Sequence, residues 1–502
     1  MRHCRLVRKV ANRMKIQISY PPLQNSRGVP LLSQNRQFQW FSESTYIYPM
    51  VPASAATLLD QAGYDVIWDD AIAEMKDYDV WLRDLEKHSP DIVMIETKTP
   101  VVKSHWKIIG DVKRVLPDVR TILVGDHVTA LPAESMERSE VDHVLCGGDF
   151  DFLLLDLVEY LDGKRKHLEP GIWSRNDTGI QNTGPFQLRH KLDSLPFVNR
   201  DLTKWRLYAY KNGNFKRTPG TYTMVGRDCW YRKKGGCFFC SWPTLYPAYR
   251  VRSPQSLVEE LEALVAKYQV REVFDDTGTF PVGEWLRKFC NLVIDRKLNE
   301  KIHFSCNMRF GALSLDDYRL MKRAGFRMLL FGLESASQLT LDRLNKGIAI
   351  DDTTNGCKWA REAGLEPHIT IMVGYPWETR EDALTSLRFA RMLMEKGWAL
   401  TLQSTIVIPY PGTRLYDEAL EKEWFRIDPK EYERFDMSEP VLNVADMTPQ
   451  ELVEICDSMY KIFLSPKYVL KQLGRMNSFR DVAFTARGFM KVLGHLKDFA
   501  KK

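Results

Sequence analysis

Short apolar runs recur along the chain, each followed by a longer stretch in which apolar residues return every three or four positions. Between residues 14 and 165 the runs fall at 15–20, 64–68, 92–96, 121–124 and 143–145. A brief continuous apolar run suits a strand buried on both faces, and the 3.6-residue period between runs suits covering helices. The pattern predicts an α/β fold with a Rossmann-like parallel sheet in residues 1–165. Residues 166–222 are rich in polar and turn-forming residues and lack sustained periodicity, so they read as a linker with room for a small hairpin. The alternation resumes at Thr223 and lasts for six repeats, which predicts a partial (β/α)6 barrel of the TIM type over 223–425. Residues 426–502 begin as a polar, acidic connector and end in helices. Thr448, Pro449 and Glu451 form a helix start, with the threonine as cap and the glutamate at the capping-box position.

Composition narrows the functional classes. A length of 502 residues suggests roughly three domains. The formal charge of +6 is small for that size and the basic residues are spread out, which argues against a nucleic-acid surface. An acidic protein or an anionic cofactor stays open as a partner. Nine cysteines in this length make no disulfide framework. The first ten residues are basic with no apolar run after them, and no run reaches transmembrane length, so a soluble protein is expected, with peripheral membrane contact left open. Near the C-terminus Lys467, Lys471, Arg475, Arg487, Lys491, Lys497, Lys501 and Lys502 accumulate. They read either as a substrate-docking lid or, more plainly, as a helical cap with a solvated basic face.

Three cysteines, Cys229, Cys237 and Cys240, lie within twelve residues at the mouth of the predicted barrel. Three close thiolates hold three irons of a cubane cluster and leave the fourth iron open. A structural zinc would need a fourth ligand, and His190 and His303 are distant in sequence. A zinc knuckle completed from afar, or three unrelated buried thiols, stay open as alternatives. Cys290, Cys306 and Cys357 have no metal spacing and read as buried thiols. A thiolate-held cluster needs a reducing compartment, which makes the cytoplasm the natural location.

The predicted strand ends carry further candidates. Asp276 and Thr277 follow the second barrel strand, beside Asp275, and suit an ammonium group. Asn307 and Arg309 end the third strand. Glu334 ends the fourth, where a carboxylate suits ribose hydroxyls, and Gly374 and Pro376 make a turn that lets backbone approach an adenine. In the first domain ligands of such a sheet bind beyond the carboxyl ends of its strands. The loops there carry Tyr20, then Thr97 and Thr99, then Gly125, His127 and Thr129, then Gly147 and Gly148. A sheet binding nothing, or a nucleotide, is the alternative, although no G-x-G-x-x-G follows the first strand.

Cys229, Cys237 and Cys240 with Phe239 resemble the cluster loop of the radical S-adenosylmethionine (SAM) superfamily. The family's usual spacing is C-x3-C-x2-C, whereas seven residues separate the first pair here, so residues 232–236 form an insertion. The Phe-Gly-Leu-Glu-Ser run at 331–335, Leu-Asn-Lys-Gly at 344–347, Val-Gly-Tyr-Pro-Trp-Glu-Thr at 373–379 and Pro-Tyr-Pro-Gly-Thr at 409–413 resemble strands four to six of the cobalamin-dependent branch. The Gly-x-His-x-Thr-x-x-Pro loop at 125–132 resembles that branch's cobalamin domain. Together the resemblance spans about residues 15–420.

The resemblance implies a [4Fe-4S] cluster on Cys229, Cys237 and Cys240, SAM at its open iron, and cobalamin on the first domain. The loop after the first strand has no histidine, so cobalamin without a lower histidine ligand is expected. His127 remains a candidate contact. Reductive cleavage of SAM would give a 5′-deoxyadenosyl radical, and methylcobalamin would deliver a methyl group to an sp³ carbon. An external one-electron reductant is implied. A peptide or protein substrate is favoured, with a glutamine of methyl-coenzyme M reductase the specific suggestion. A small molecule or lipid, or a ring closure of the tetrapyrrole-cyclase kind, is the alternative, and a cluster-bearing binding protein without turnover is a third reading.

Overall fold

The computed structural model describes residues 13–23, 28–31, 38–41, 45–476, 478–479 and 481–489. The basic first ten residues, part of the loop after the first strand and the lysines after 489 lie outside the described residues.

Five parallel strands build the first sheet: β1 (Lys15–Tyr20), β2 (Asp65–Asp70), β3 (Ile92–Thr97), β4 (Arg120–Gly125) and β5 (His143–Leu145), in the order β2-β1-β3-β4-β5. Every residue of β3 is buried, as a central parallel strand requires. Alternate side chains serve opposite faces. Ile16, Ile18, Met94, Ile122 and Val124 join one core with helices α1 (Met50–Gln61) and α4 (Phe150–Leu161). Val93, Ile95, Leu123 and Val144 join another with α2 (Tyr78–His88) and α3 (Val102–Val115).

Residues 172–182, expected within the linker, extend this sheet instead. The strands β6 (Ile172–Asn176) and β7 (Gly179–Asn182) form a hairpin paired antiparallel to β5. The four residues of β7 are all exposed, so no apolar alternation marked it in the sequence. Gly179, at φ +113°, supplies the turn.

The second sheet is a six-stranded parallel array, β8 (Gly220–Thr223), β9 (Glu272–Asp275), β10 (His303–Met308), β11 (Phe326–Glu334), β12 (Glu366–Val373) and β13 (Thr401–Ile406), in sequence order. It begins at Gly220, three residues earlier than expected. Helices α5 (Pro254–Tyr268), α6 (Glu284–Asp295), α7 (Leu315–Arg323), α8 (Ile350–Glu362) and α9 (Arg380–Lys396) cover its outer side. Ser253, Ser314 and Thr379 each cap the helix that follows, and the last two form capping boxes with Asp317 and Asp382. The core lining the α1 and α4 side of the first sheet runs on unbroken into the barrel.

Helix α10 (Pro449–Lys461) starts at Thr448 with the expected capping box to Glu451. It covers the edge strand β13, where the Tyr460 hydroxyl donates to the Ser404 carbonyl at 2.8 Å and accepts from the Ser404 amide at 3.1 Å. One side chain thus satisfies backbone that an open sheet edge would expose. Helix α11 (Pro466–Leu473) follows.

Candidate functional site

The carboxyl ends of the barrel strands open into a cavity of about 140 Å³. Cys229, Cys237 and Cys240 all line it, half-buried. The Cys229 thiol donates to the Thr279 hydroxyl at 3.0 Å, and the Cys237 sulfur accepts from Arg309 Nη1 at 3.5 Å. Among the described residues no three His, Cys, Asp or Glu side chains converge as ligands of one metal ion. A cubane needs no such convergence, because it spreads its thiolates over separate irons.

The seven residues between the first two cysteines form a built element. Cys229 precedes a 3₁₀ turn, Trp230–Lys234, which ends on Gly235 and Gly236 at φ +92° and +69°. Arg232 pairs with Asp228 at 2.7 Å. Asn345 Nδ2 donates to the carbonyls of Lys234 and Gly236 at 3.0 and 2.8 Å, and Arg414 also reaches the Gly236 carbonyl at 2.8 Å. The Tyr231 ring lies 3.7 Å from the Arg309 guanidinium carbon, a cation–π contact that holds this arginine against the Cys237 sulfur.

On the facing wall, Lys346 Nζ donates to Glu334 Oε1 at 2.7 Å, and both groups are buried. Glu334 has φ +68° and sits at a register shift in β11, a strained conformation for a residue with a side chain. A Cβ on Gly332 would lie 2.3 Å from the Glu334 carboxylate, so only glycine leaves room for this pair. Asn307 also lines the cavity, donating to the Thr277 carbonyl at 2.9 Å, and Phe239 lies 5.8 Å from Lys346 Nζ.

Other candidates are engaged elsewhere. Asp275 accepts from the Thr223 hydroxyl and the Val225 and Thr277 amides at 2.9, 2.9 and 3.1 Å, tying β8 to β9, and burial raises its carboxyl above the ordinary value. Asp276 is buried, and the Thr277 hydroxyl accepts from the Gly226 amide at 2.8 Å. The cavity is lined by the next two residues, Gly278 and Thr279. Gly374, at φ +96°, donates its amide to Glu378 Oε2 at 2.6 Å, and the Pro376 carbonyl accepts from the Ala445 amide at 3.2 Å. Burial lifts the Glu378 carboxyl to about 8, against the backbone bonds from Gly374 and Tyr375 that lower it.

The loops of the first sheet meet the rest of the chain directly. Tyr20 donates its hydroxyl to Glu96, and burial raises both groups above their ordinary values. Thr97 bonds His105 at 2.8 Å, and Thr99 bonds His127 Nδ1 at 3.2 Å. The His127 ring is fully buried, 4.7 Å from the Tyr432 ring centroid, with Nε2 3.5 Å from Glu134 and no hydrogen-bond partner there. Tyr432 belongs to the connector of residues 424–447, which also places Met437 at the cavity. The Thr129 hydroxyl bridges the Gly125 carbonyl and the Gly147 amide at 2.7 and 2.9 Å. A Cβ on Gly147 or Gly148 would lie 2.5 Å from the Phe186 ring or 1.9 Å from the Tyr246 ring.

Gly148 also anchors a buried link between the sheets. Arg227, just after β8, donates to the Gly148 carbonyl at 2.9 Å, to Asp149 at 2.8 Å and to Asp151 at 3.0 and 2.6 Å. Arg250 adds bonds to Asp149 at 2.6 and 2.7 Å. Burial raises the Asp149 carboxyl, and the two guanidinium groups outweigh it, so the group rests below its ordinary value. Sequence reasoning missed Arg227, Arg250 and Asp151 because nothing local marks a pair 76 residues apart. It also gave Lys346 no role, although the Asn-Lys-Gly run at 345–347 was a visible signal.

Residues 224–390 match the family model described as the Radical SAM superfamily, so the chain carries a radical SAM domain. That class of domain uses a [4Fe-4S] cluster and SAM, and the three cavity thiols fit the cluster. Over 438 residues the chain is 25% identical to an uncharacterized methyltransferase of Pyrococcus horikoshii, covering 86% of this chain and 90% of that one. It is 24% identical to the anaerobic magnesium-protoporphyrin IX monomethyl ester cyclase of Cereibacter sphaeroides, covering 88% and 70%. In fold it resembles the radical SAM methyltransferase TsrM of Kitasatospora setae, solved with tryptophan and a SAM analog, at TM-score 0.67 and 16% identity over 90% of this chain and 89% of that one. It likewise resembles the cobalamin-dependent enzyme OxsB, solved with aqua-cobalamin and SAM, at TM-score 0.68 and 14% identity over 97% and 72%. The α/β architecture of two parallel sheets is thus that of TsrM and OxsB. Among the described residues no helix is long and apolar enough to cross a membrane.

Proposed function

We propose that this chain is a cobalamin-dependent radical SAM methyltransferase that methylates an unactivated sp³ carbon of a peptide or protein. The observation that carries the reading is the convergence of Cys229, Cys237 and Cys240 on a cavity that also holds Arg309 and the Glu334–Lys346 pair. When bound, the cluster and SAM supply a radical able to take hydrogen from an unreactive carbon, and cobalamin supplies the methyl group.

The chain's own residues position these groups. The three cysteines hold the cluster, and Arg309, pinned on Tyr231, donates to the Cys237 sulfur. Glu334, fixed by Lys346, keeps one oxygen for SAM hydroxyls. Met437 and Tyr410 add apolar surface to the cavity lining. Tyr20, Thr97, Thr99, Gly125, His127, Thr129, Gly147 and Gly148 form the loops proposed to hold cobalamin. The buried Nε2 of His127, without a hydrogen-bond partner, suits the amide fringe of a corrin. The loop after β1 carries no histidine.

The domain assignment proposed with this reading is a cobalamin-binding first sheet, a radical SAM barrel and a helical C-terminal part. A glutamine of methyl-coenzyme M reductase is the first substrate to try, supported by sequence resemblance alone. The magnesium-protoporphyrin cyclase relative favours a second reading, a non-methylating reaction on a tetrapyrrole. Mass spectrometry of anaerobic reactions with reductant, SAM, cobalamin and candidate substrates tests both. The methyltransferase yields 5′-deoxyadenosine and S-adenosylhomocysteine together with a methylated product. 5′-Deoxyadenosine without S-adenosylhomocysteine favours the cyclase reading, and neither product refutes both.

A further inference from the structure

Helix α11 and the helical residues after it turn large apolar side chains into water. Leu470 and Leu473 are 69% and 56% exposed, Phe479 is 88% exposed, and Val482 and Phe489 are exposed as well. Single exposed leucines are ordinary, but a contiguous apolar face marks an interaction surface. The opposite side of the same stretch is docked on the body. Asp481 pairs with Lys216, and the Phe484 ring lies 5.9 Å from Lys216 Nζ and 5.7 Å from the Arg327 guanidinium carbon. Arg487 and Gly488 line a groove with Tyr210 and Phe215. At about 100° per residue, Phe479, Val482 and Phe489 fall on one side of a helix and Asp481, Phe484 and Gly488 on the other. The apolar side therefore faces outward while the segment is held from behind.

Charge identifies the occupant. Residues 465–502 carry nine Lys and Arg against two Asp and Glu, so this stretch accounts for more than the whole chain's +6 and the remainder is slightly acidic. Lys467, whose side chain is 80% exposed, and Lys471 flank the apolar residues of α11. The sequence beyond 489 keeps the spacing, with Leu493 and Leu496 apolar and Lys491 and Lys497 basic. A second copy would bring the same positive charge and be repelled. An acidic protein would match the lysines but would need a separate pocket for each projecting Leu and Phe. An anionic bilayer meets both demands, with acyl chains for the apolar residues and phosphates for the cations.

We propose that this face is a peripheral membrane-binding surface, which lies on an anionic lipid bilayer with Leu470, Leu473 and Phe479 at the acyl boundary and Lys467 and Lys471 among the headgroups. The test is flotation of the full chain with vesicles of phosphatidylcholine alone or of phosphatidylcholine with phosphatidylglycerol. The chain is expected to float with the anionic vesicles and to be released by salt. The combined change Leu470→Ser, Leu473→Ser and Phe479→Ser is expected to lower partitioning about tenfold or more. Lys467→Glu with Lys471→Glu should remove the preference for phosphatidylglycerol. These side chains stand in water, so circular dichroism and the thermal midpoint should match the wild type. Failure to float, or flotation indifferent to the serine changes, overturns the proposal. So does a dimer that the serine changes dissociate in the absence of any vesicle binding.

Discussion

The two parallel sheets use their carboxyl ends in opposite ways. Beyond the barrel strands, three thiols, an arginine and a lysine–glutamate pair line a common cavity. Beyond the strands of the first sheet, the corresponding side chains are spent on protein partners: Tyr20 on Glu96, Thr97 on His105, Lys98 on Asp126 at 3.1 Å, and His127 against Tyr432. The glycines differ in the same sense. Gly125, at φ +123°, would put a Cβ 2.2 Å from the Thr97 carbonyl, whereas a Cβ on Gly374 meets only ordinary contacts at 3.6 Å. A glycine at a strand end signals a close approach, and the sequence does not say whether ligand or protein approaches.

The largest expected effect is on the barrel side. Replacing any one of Cys229, Cys237 or Cys240 by Ala should abolish the visible absorption of a reconstituted cluster, while the same change at buried Cys290 or Cys357 should leave it intact. If Cys229→Ala retains the full absorption, the three-thiol site is wrong. Next comes the link between the sheets. Arg227→Met leaves Asp151 buried without its guanidinium partner and Asp149 with Arg250 alone, and should cost about 3–5 kcal/mol, measured by denaturant unfolding.

A pH effect of a few kcal/mol is expected from Glu378. Its folded value is about 8 and its ordinary value 4.5. Between these values the folded chain keeps a proton that the unfolded chain has released. The contribution is therefore complete below the ordinary value and is lost as pH rises toward 8. Glu378→Gln should flatten the decline in stability across that interval, and an unchanged slope would remove Glu378 as its source.

Gly125→Ala should destabilise by about 1–3 kcal/mol and by more than Gly374→Ala, because the first meets backbone and the second only backbone strain. Equal losses would erase the contrast between the sheets. The smallest effect belongs to the exposed pair Lys103–Glu433 at 3.2 Å, which also joins the first domain to the connector. Lys103→Ala should change stability by less than about 0.5 kcal/mol.

The legible parts of the sequence share a cause. Strands β1 to β5 and the barrel strands are short apolar runs because they are buried, and Thr448, Pro449 and Glu451 marked a helix start through local chemistry. The small hairpin allowed for in residues 166–222 is present as β6 and β7, but its attachment to the first sheet left no apolar mark because its outer strand lies in water. At the site, Cys229, Cys237, Cys240, Asn307, Arg309 and Glu334 were readable and do line one cavity. Asp276 and Thr277 were misplaced by two positions, since the loop after β9 turns its hydroxyl toward Gly226 before reaching the cavity with Gly278 and Thr279. The seven-residue gap looked like an unexplained insertion. Its order depends on Asn345 and Arg414, more than 100 residues away, and such partners leave no local trace.

The central claim is that three thiols hold a cluster with one open iron in the barrel cavity. Electron paramagnetic resonance of the reduced, reconstituted protein, recorded before and after addition of SAM, tests it most directly. The account predicts a [4Fe-4S]⁺ signal that changes shape when SAM binds and that is absent from Cys229→Ala. A signal indifferent to SAM, or retention of stoichiometric zinc in place of iron, would contradict it.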